Sequence, residues 1–208
     1  STATRWSVRA GNERVAVELG RQMHRRGHDV RVYCHKDDGS APPDALGGDP
    51  ARVVHLPGVG FDPTLALLSY AWVTRRLVAE LRAARAVDVV IGFGHSVVHD
   101  VYRLGGGTQA EFLALAQDHA EARGGPVLDR VALAVERRRF APQASPLLVA
   151  PSARVAEELE RHYRVARARI RVVQRSEPYF VVDVDDLEEP LSSSVEAEAL
   201  MRTLQNAF

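Results

Sequence analysis

Hydrophobic and polar residues follow two alternating periodicities along most of the chain. Between Asn12 and Gly27 the apolar residues are mixed with Arg and Glu in a helical stretch, which Gly27 is well placed to end. The next segment, residues 29–34 (DVRVYC), alternates apolar and polar residues with the period of two that predicts a strand. A helix, a tight turn and a strand form half of a βαβ unit.

The same rhythm continues through residue 173. Residues 36–50 are rich in Gly, Pro and Asp and predict a long surface loop, and residues 94–107 predict another. The apolar run at 88–93 (DVVIGF) is typical of a strand buried on both faces of a parallel sheet. Further strands are predicted at 52–56, 146–150 and 170–173, and further helices at 64–85, 108–123, 127–140 and 152–163. This alternation predicts a Rossmann-like doubly wound, mostly parallel α/β sheet, whose ligand crevice lies beyond the carboxyl ends of the strands.

The first eight residues, STATRWSV, lack the apolar strand that a Rossmann unit normally places before its first helix. The sequence therefore predicts that the first strand is missing or replaced. Three sources for it are open, namely Arg5–Val8, the tail of the chain, or another chain. Insertion of a tail strand at Tyr179–Val184 into the vacant position would rescue the fold, because an unpaired sheet centre exposes strand edges.

The end of the chain breaks the βαβ rhythm. Residues 177–185 have strand character, residues 187–194 are acidic and rich in Ser and Pro, and residues 195–208 have the pattern of an amphipathic helix. We therefore predict an α/β domain over residues 1–175 and a strand-helix appendage over residues 176–208.

Composition removes several classes of protein. Lys plus Arg and Asp plus Glu both number 27, so the formal net charge is zero and nothing global attracts nucleic acid. The single cysteine, Cys34, rules out an intramolecular disulfide and a Cys-rich zinc site. The H-E-x-x-H, G-x-S-x-G and P-loop patterns are absent from the sequence. No apolar run approaches the ~20 residues that span a bilayer. The expected compartment is the cytoplasm, and Arg137, Arg138 and Arg139 are expected to complement a helix C-terminus.

Three segments together resemble the family-4 type retaining glycosyltransferases of the GT-B fold: AGNERVAVELGRQMHRRGHDVRVY (10–33), DVVIGFGHSVVHDVYRLGGG (88–107) and LLVAPSARVAEELERHY (147–163). The most distinctive part is GFGHSVVHDVY, because bacterial lipopolysaccharide-core glucosyltransferases carry a similar G-F-x-x-x-x-x-x-D-V-Y string after the corresponding strand. The resemblance spans residues 9–173 and identifies them as the N-terminal, acceptor-side half of such an enzyme.

The resemblance implies a bacterial enzyme of lipopolysaccharide or glycan biosynthesis. It would transfer a sugar from a nucleotide-sugar to a glycan or glycolipid acceptor, with retention at the anomeric carbon and without a metal or other cofactor. The donor would be held mostly by a second domain that nothing here resembles, so this fragment is expected to be inactive alone. Peripheral contact with the inner face of the membrane and oligomerisation are further expectations.

The resemblance also assigns candidate site residues. Gly11 matches the second glycine of the family's Gly-Gly turn, where amide groups at a helix N-terminus approach phosphate; Ala10 replaces the first. His95 follows the strand 88–93, where a neutral imidazole can hydrogen-bond a sugar hydroxyl, and Asp100 matches the acidic residue of the D-V-Y string. A plain helix start, a loop histidine and a turn-capping carboxylate are the competing interpretations of these three residues. The predicted catalytic residues are His95 and Asp100. The predicted substrate-binding residues are Gly11, Asn12, Glu13, Arg14, Gly94, Arg103 and Gly106.

The tail resembles a different family. Residues 172–208 resemble part of the N-terminal substrate-recognition domain of bacterial Lon proteases, in which a similar E-P-Y string leads through an acidic turn to a helix. This segment is too short to form such a domain, so we predict a junction of unlike pieces. An alternative function follows, a non-enzymatic interaction or adaptor module with a Lon-like tail that binds a peptide or partner through an apolar patch at Leu200–Phe208. A third possibility is a second polypeptide that supplies the donor domain.

Overall fold

A computed structural model describes residues 2–8, 11–37, 39–59, 61–116 and 125–173. The strands are β1 Thr2–Trp6, β2 Val32–Asp37, β3 Val53–His55, β4 Ile91–Gly92, β5 Val101–Arg103, β6 Leu147–Ala150 and β7 Ile170–Val172. The helices are α1 Gly11–Arg25, α2 Pro63–Ala83, α3 Gln109–Leu115, α4 Pro126–Arg139 and α5 Ala153–Tyr163. The strands form one sheet in the order β3-β2-β1-β4-β5-β6-β7, and every neighbouring pair is parallel. The predicted Rossmann-like fold is confirmed.

The central position of the sheet is occupied by β1. Thr2 pairs with Tyr33 of β2 on one side and with Gly92 of β4 on the other. The prediction of a missing first strand was therefore wrong, and so was the insertion of a tail strand there, because the position is already filled. The segment TATRW carries few apolar residues, so it is defined by hydrogen bonds to two neighbours and not by an apolar run.

Three other strand predictions are corrected. Pairing in β2 runs over Val32–Asp37 and not 29–34, and only Ile91–Gly92 of the run 88–93 belongs to a ladder. Both strands pair with β1, in which Thr2 lies opposite Tyr33 of β2 and Gly92 of β4. In addition, β5 lies inside the segment that was predicted to be a loop, because three residues are too few to show a periodicity.

The predicted helices are present, except that α3 covers Gln109–Leu115 and the rest of the predicted helix 108–123 lies outside the described residues from 117 onward. Most of the helices begin at a side chain that caps their first amide groups. Asp62 accepts a hydrogen bond from the Leu65 amide at 2.8 Å, and Ser152 accepts one from the Val155 amide at 3.3 Å. Each cap satisfies an amide that has no partner within the helix. Gly27, with φ +87°, follows the end of α1 as predicted.

The core lies on the sheet under α1 and α5. One buried cluster joins Val15 and Leu19 of α1 to Val32 and Ile91, and a second joins Leu159 of α5 to the strands β5 to β7. None of the described helices has the length and apolar character required to cross a bilayer. The predicted domain boundary and appendage lie outside the described residues, and they stay predictions.

Candidate functional site

Most of the predicted site residues gather at the carboxyl edge of the sheet. In a parallel sheet all strands end at the same edge, so the segments after β1, β4 and β5 meet there. These segments carry Gly11–Arg14, Gly94–His95 and Arg103–Gly107 respectively. The topology therefore brings together residues that lie more than ninety positions apart in the chain.

A side-chain hydrogen bond ties the first and last of these segments together. Arg103 Nη1 donates to Asn12 Oδ1 at 2.9 Å and to its neighbour's carbonyl, Leu104 O, at 3.2 Å. A Cβ atom at Gly105 would lie 2.7 Å from Asn12 Cγ. Glycine is therefore required at that position for the loop after β5 to pack on the start of α1.

His95 stands at the end of β4 with an exposed side chain. Part of the side chain reaches solvent, but neighbouring groups reduce the hydration of the imidazolium and the charge of Arg139 repels it, so the pKa of His95 is lowered to about 4. The ring is therefore neutral near pH 7. Gly94, immediately before it, has φ +72°, a conformation that glycine adopts without strain.

The loop that carries His95 is held by residues that the sequence did not single out. Tyr102 donates its hydroxyl proton to Gly94 O at 2.7 Å, and Arg139 Nε donates to Ser96 O at 2.8 Å. His99 is buried and hydrogen-bonded to Ser96 Oγ at 2.7 Å and to a second serine, Ser145, at 2.9 Å. Tyr102 belongs to the D-V-Y string, and that string was the available signal.

Asp100 lies at the opposite edge of the sheet, because it precedes β5. Its Oδ2 accepts from the Val90 amide at 2.7 Å, and its Oδ1 pairs with Arg82 Nη2 at 2.6 Å. The structure therefore does not bring Asp100 together with His95. Its contacts are those of the turn-capping carboxylate that was the competing interpretation.

The remaining predicted residues lie at the same carboxyl edge as His95. Glu13 and Arg14 form the first turn of α1, with Arg14 exposed. Gly106 is exposed, and a Cβ atom there would meet nothing within 4 Å. Steric space alone therefore does not explain glycine at this position.

Two buried carboxylates hold the start of α3, beside the glycine loop, and the sequence analysis missed both. Glu158 Oε2 accepts from the Thr108 amide at 2.8 Å, and Glu136 accepts from the Gln109 amide at 2.9 Å and from the Tyr163 hydroxyl. Because these amides start a helix, a carboxylate satisfies both their hydrogen bonds and the helix dipole. The part of the chain that the structure describes holds no group of three or more His, Cys, Asp or Glu side chains suited to a metal ion, and metal-independent chemistry stays a prediction.

Comparison with known proteins agrees with this arrangement. The model of Glycosyltransferase Family 4 matches residues 10–176. Among solved structures, the chain is similar to WaaG, a glycosyltransferase involved in lipopolysaccharide biosynthesis, with a TM-score of 0.64 and 20% identity. The alignment covers 83% of this chain and 44% of that one, so the chain spans less than half of WaaG. Comparison with curated proteins gave no match. The fold is that of a GT-B N-terminal half, and the chain belongs to Glycosyltransferase Family 4.

Proposed function

We propose that this chain is the acceptor-binding half of a nucleotide-sugar-dependent, retaining glycosyltransferase. The observation that carries the proposal is the joined carboxyl edge, where the start of α1, the His95 turn and the glycine loop after β5 meet in a member of this family. We further propose that donor binding requires a second domain, which the 44% coverage of WaaG supports. By analogy with WaaG, the acceptor would be a lipopolysaccharide or related glycan.

Each part of this edge has a role in sugar transfer. The neutral ring of His95 can exchange a hydrogen bond with a sugar hydroxyl at the reaction centre. During transfer the bond between the anomeric carbon and the nucleotide phosphate breaks, an acceptor oxygen bonds to that carbon, and negative charge grows on the departing phosphate. The amides around Gly11 and Asn12, at the positive end of α1, are suited to face that charge. No metal ion is required in this scheme.

A ligand-dependent melting experiment tests the proposal. The protein is heated with sugar-phosphate acceptors and, separately, with nucleotide-sugars, and the His95→Ala variant is compared with His55→Ala. His55 is exposed on β3 and is the matched control. We expect one class of acceptor to raise Tm in the unaltered protein and in His55→Ala, and to lose that effect in His95→Ala. A well-folded protein whose Tm responds to none of these sugars would contradict the proposal.

A second candidate function is supported by an apolar stripe on α2. Phe61, Leu65, Leu68 and Trp72 follow one another at intervals of four, three and four residues, and all are exposed, Phe61 to 86% and Trp72 to 61%. That spacing places Leu65, Leu68 and Trp72 on one face of α2, beside the exposed Arg75 and Arg76. Phe61 extends the stripe just before the N-cap residue Asp62. The Arg76 guanidinium lies 5.8 Å from the Trp72 ring.

We propose that this stripe contacts an anionic membrane surface from the cytoplasmic side. Tryptophan and arginine suit the lipid headgroup region, and two cations next to an apolar face complement anionic lipid. The adaptor alternative placed its patch at Leu200–Phe208, outside the described residues, and oligomerisation likewise stays a prediction.

Vesicle co-sedimentation tests the membrane proposal. We expect binding to phosphatidylglycerol-containing vesicles but not to pure phosphatidylcholine, and a loss of about tenfold in the Phe61→Ser, Trp72→Gln double variant. Leu115→Ser, which changes an exposed leucine on α3 (63% exposed), is the control. Unchanged binding in the double variant would exclude the stripe as the membrane contact. If light scattering instead shows a dimer that the double variant converts to a monomer, a second copy of the chain covers the stripe.

A further inference from the structure

The backbone carbonyls of the residues before and after His95 both accept hydrogen bonds from side chains of other elements. Gly94 O accepts from the Tyr102 hydroxyl of β5 at 2.7 Å, and Ser96 O accepts from Arg139 Nε of α4 at 2.8 Å. The two donors also contact each other, because the Arg139 guanidinium carbon lies 4.9 Å from the Tyr102 ring centroid. The backbone of the turn is therefore held on both sides of its exposed histidine.

Arg139 differs from the two arginines that precede it. Arg137 and Arg138 are exposed, as expected for cations in the last turn of a helix, whereas Arg139 is only 6% exposed. Burying a guanidinium is unfavourable unless its donors and its charge are used. Here one donor binds the turn and the charge faces an aromatic ring, an arrangement that favours arginine over lysine.

We propose that Arg139 is the positioning residue of His95, which fixes the turn 94–96 and places a positive charge near its imidazole. An uncharged ring keeps one nitrogen as a hydrogen-bond acceptor, which the charged form lacks. The positioning is a property of this fold by itself. Its consequence for sugar transfer rests on the proposed function.

The other titratable groups around the turn do not supply the charge that acts on His95. Burial raises the pKa of Tyr102 on β5 and of Tyr70 on α2, and burial lowers the pKa of His99 on the same loop. All three are therefore neutral near pH 7. In the described part of the chain, the charge that acts on His95 comes from Arg139.

NMR titration of the histidine ring protons tests the proposal without any sugar. The His95 signal is assigned from its disappearance in His95→Ala, and its pKa in the unaltered protein is expected at about 4. In Arg139→Gln we expect that pKa to rise by about 1, since a nearby like charge is removed while burial remains. Arg138→Gln, at the exposed neighbour, should leave it unchanged. Arg139→Lys keeps the charge and should stay close to the original value.

Two results would overturn the proposal. One is an unchanged His95 pKa in folded Arg139→Gln. The other is an ordinary pKa near 6.5 for His95 in the unaltered protein. This measurement requires no variant, so it tests the proposal even if Arg139→Gln does not fold. A low His95 pKa that depends on Arg139, together with no Tm response to any sugar, would instead leave the positioning intact and remove the proposed function.

Discussion

The two edges of the sheet are built differently. At the carboxyl edge, partly buried hydrogen bonds join β5 to the start of α1 and to the turn before His95, and Gly105 allows its loop to pack on Asn12. At the amino edge lies a cavity of about 390 Å³, bounded by apolar side chains that include Leu19, Val78, Leu81 and Val89. The more enclosed apolar space is therefore at the edge without the converging polar groups, whereas a more open cavity of about 540 Å³ lies beside the glycine loop and the start of α3.

An enclosed apolar cavity therefore does not coincide with the converging polar groups in this fold. The amino-edge cavity lies where β2 and β4 extend beyond the first paired residue of β1, Thr2. The carboxyl edge holds His95, whose pKa is lowered to about 4 by burial and by the charge of Arg139, and a perturbed titratable group at this edge is a candidate for function. The predictions below separate the two edges by their effects on stability and on ligand response.

The largest effect is expected from Glu158→Ala. The variant leaves the Thr108 amide without its buried acceptor, which we expect to lower the free energy of unfolding by about 3 kcal/mol. Glu157→Ala, at the exposed neighbour in the same helix, should change it by less than about 0.5 kcal/mol. Urea unfolding measures both. Equal effects of the two changes would mean that the contact at the start of α3 contributes little.

Gly92→Ala is expected to have the next largest effect. A Cβ atom there would lie 2.0 Å from His99 Cδ2, and His99 is fixed by two serines, so we expect a loss of about 2 kcal/mol. Gly106→Ala meets nothing within 4 Å and should leave the melting temperature nearly unchanged while it weakens the response to acceptor. A stable Gly92→Ala protein would show that the His99 ring can move aside.

Helices and strands with a clear hydrophobic pattern could be predicted from the sequence, whereas strands that are defined only by hydrogen bonds to neighbouring strands could not. Helices α2, α4 and α5 are long enough for periodicity and caps to mark them, and the apolar run of β6 marks a buried strand. In contrast, β1 is polar and β5 has three residues, so only their hydrogen-bonded partners define them.

The candidate site shows the same limit at the level of single residues. Gly11 and His95 follow a strand and Arg103 ends one, so all three lie at the carboxyl edge, whereas Asp100 precedes a strand and lies at the other edge. Arg139 follows two other arginines in the sequence. Only the phase of α4 and the packing of its end decide which of the three is buried, and a sequence pattern does not contain that information.

Asp100→Ala tests the assignment of Asp100 to the amino edge. The change removes the acceptor of the buried Val90 amide and a largely exposed pair with Arg82, so we expect a loss of about 1 kcal/mol in the free energy of unfolding. The acceptor-induced rise in Tm should persist. Loss of that rise with intact stability would return Asp100 to the catalytic role that the D-V-Y resemblance implied.

The smallest effect is expected in the pH dependence of stability. The pKa of His95 is lowered to about 4 in the folded protein, against about 6.5 when unfolded. Below pH 6.5 the unfolded chain therefore binds a proton that the folded chain does not, so stability is complete above pH 6.5 and falls as the pH drops toward 4. His95→Ala should lose less stability than the unaltered protein between pH 7 and pH 4.5, and His55→Ala should lose as much as the unaltered protein. Because His95 is exposed, solvent screening keeps the difference between the two proteins small. Parallel pH profiles for the unaltered protein and His95→Ala would mean that the His95 ring is as well solvated in the folded chain as in the unfolded one.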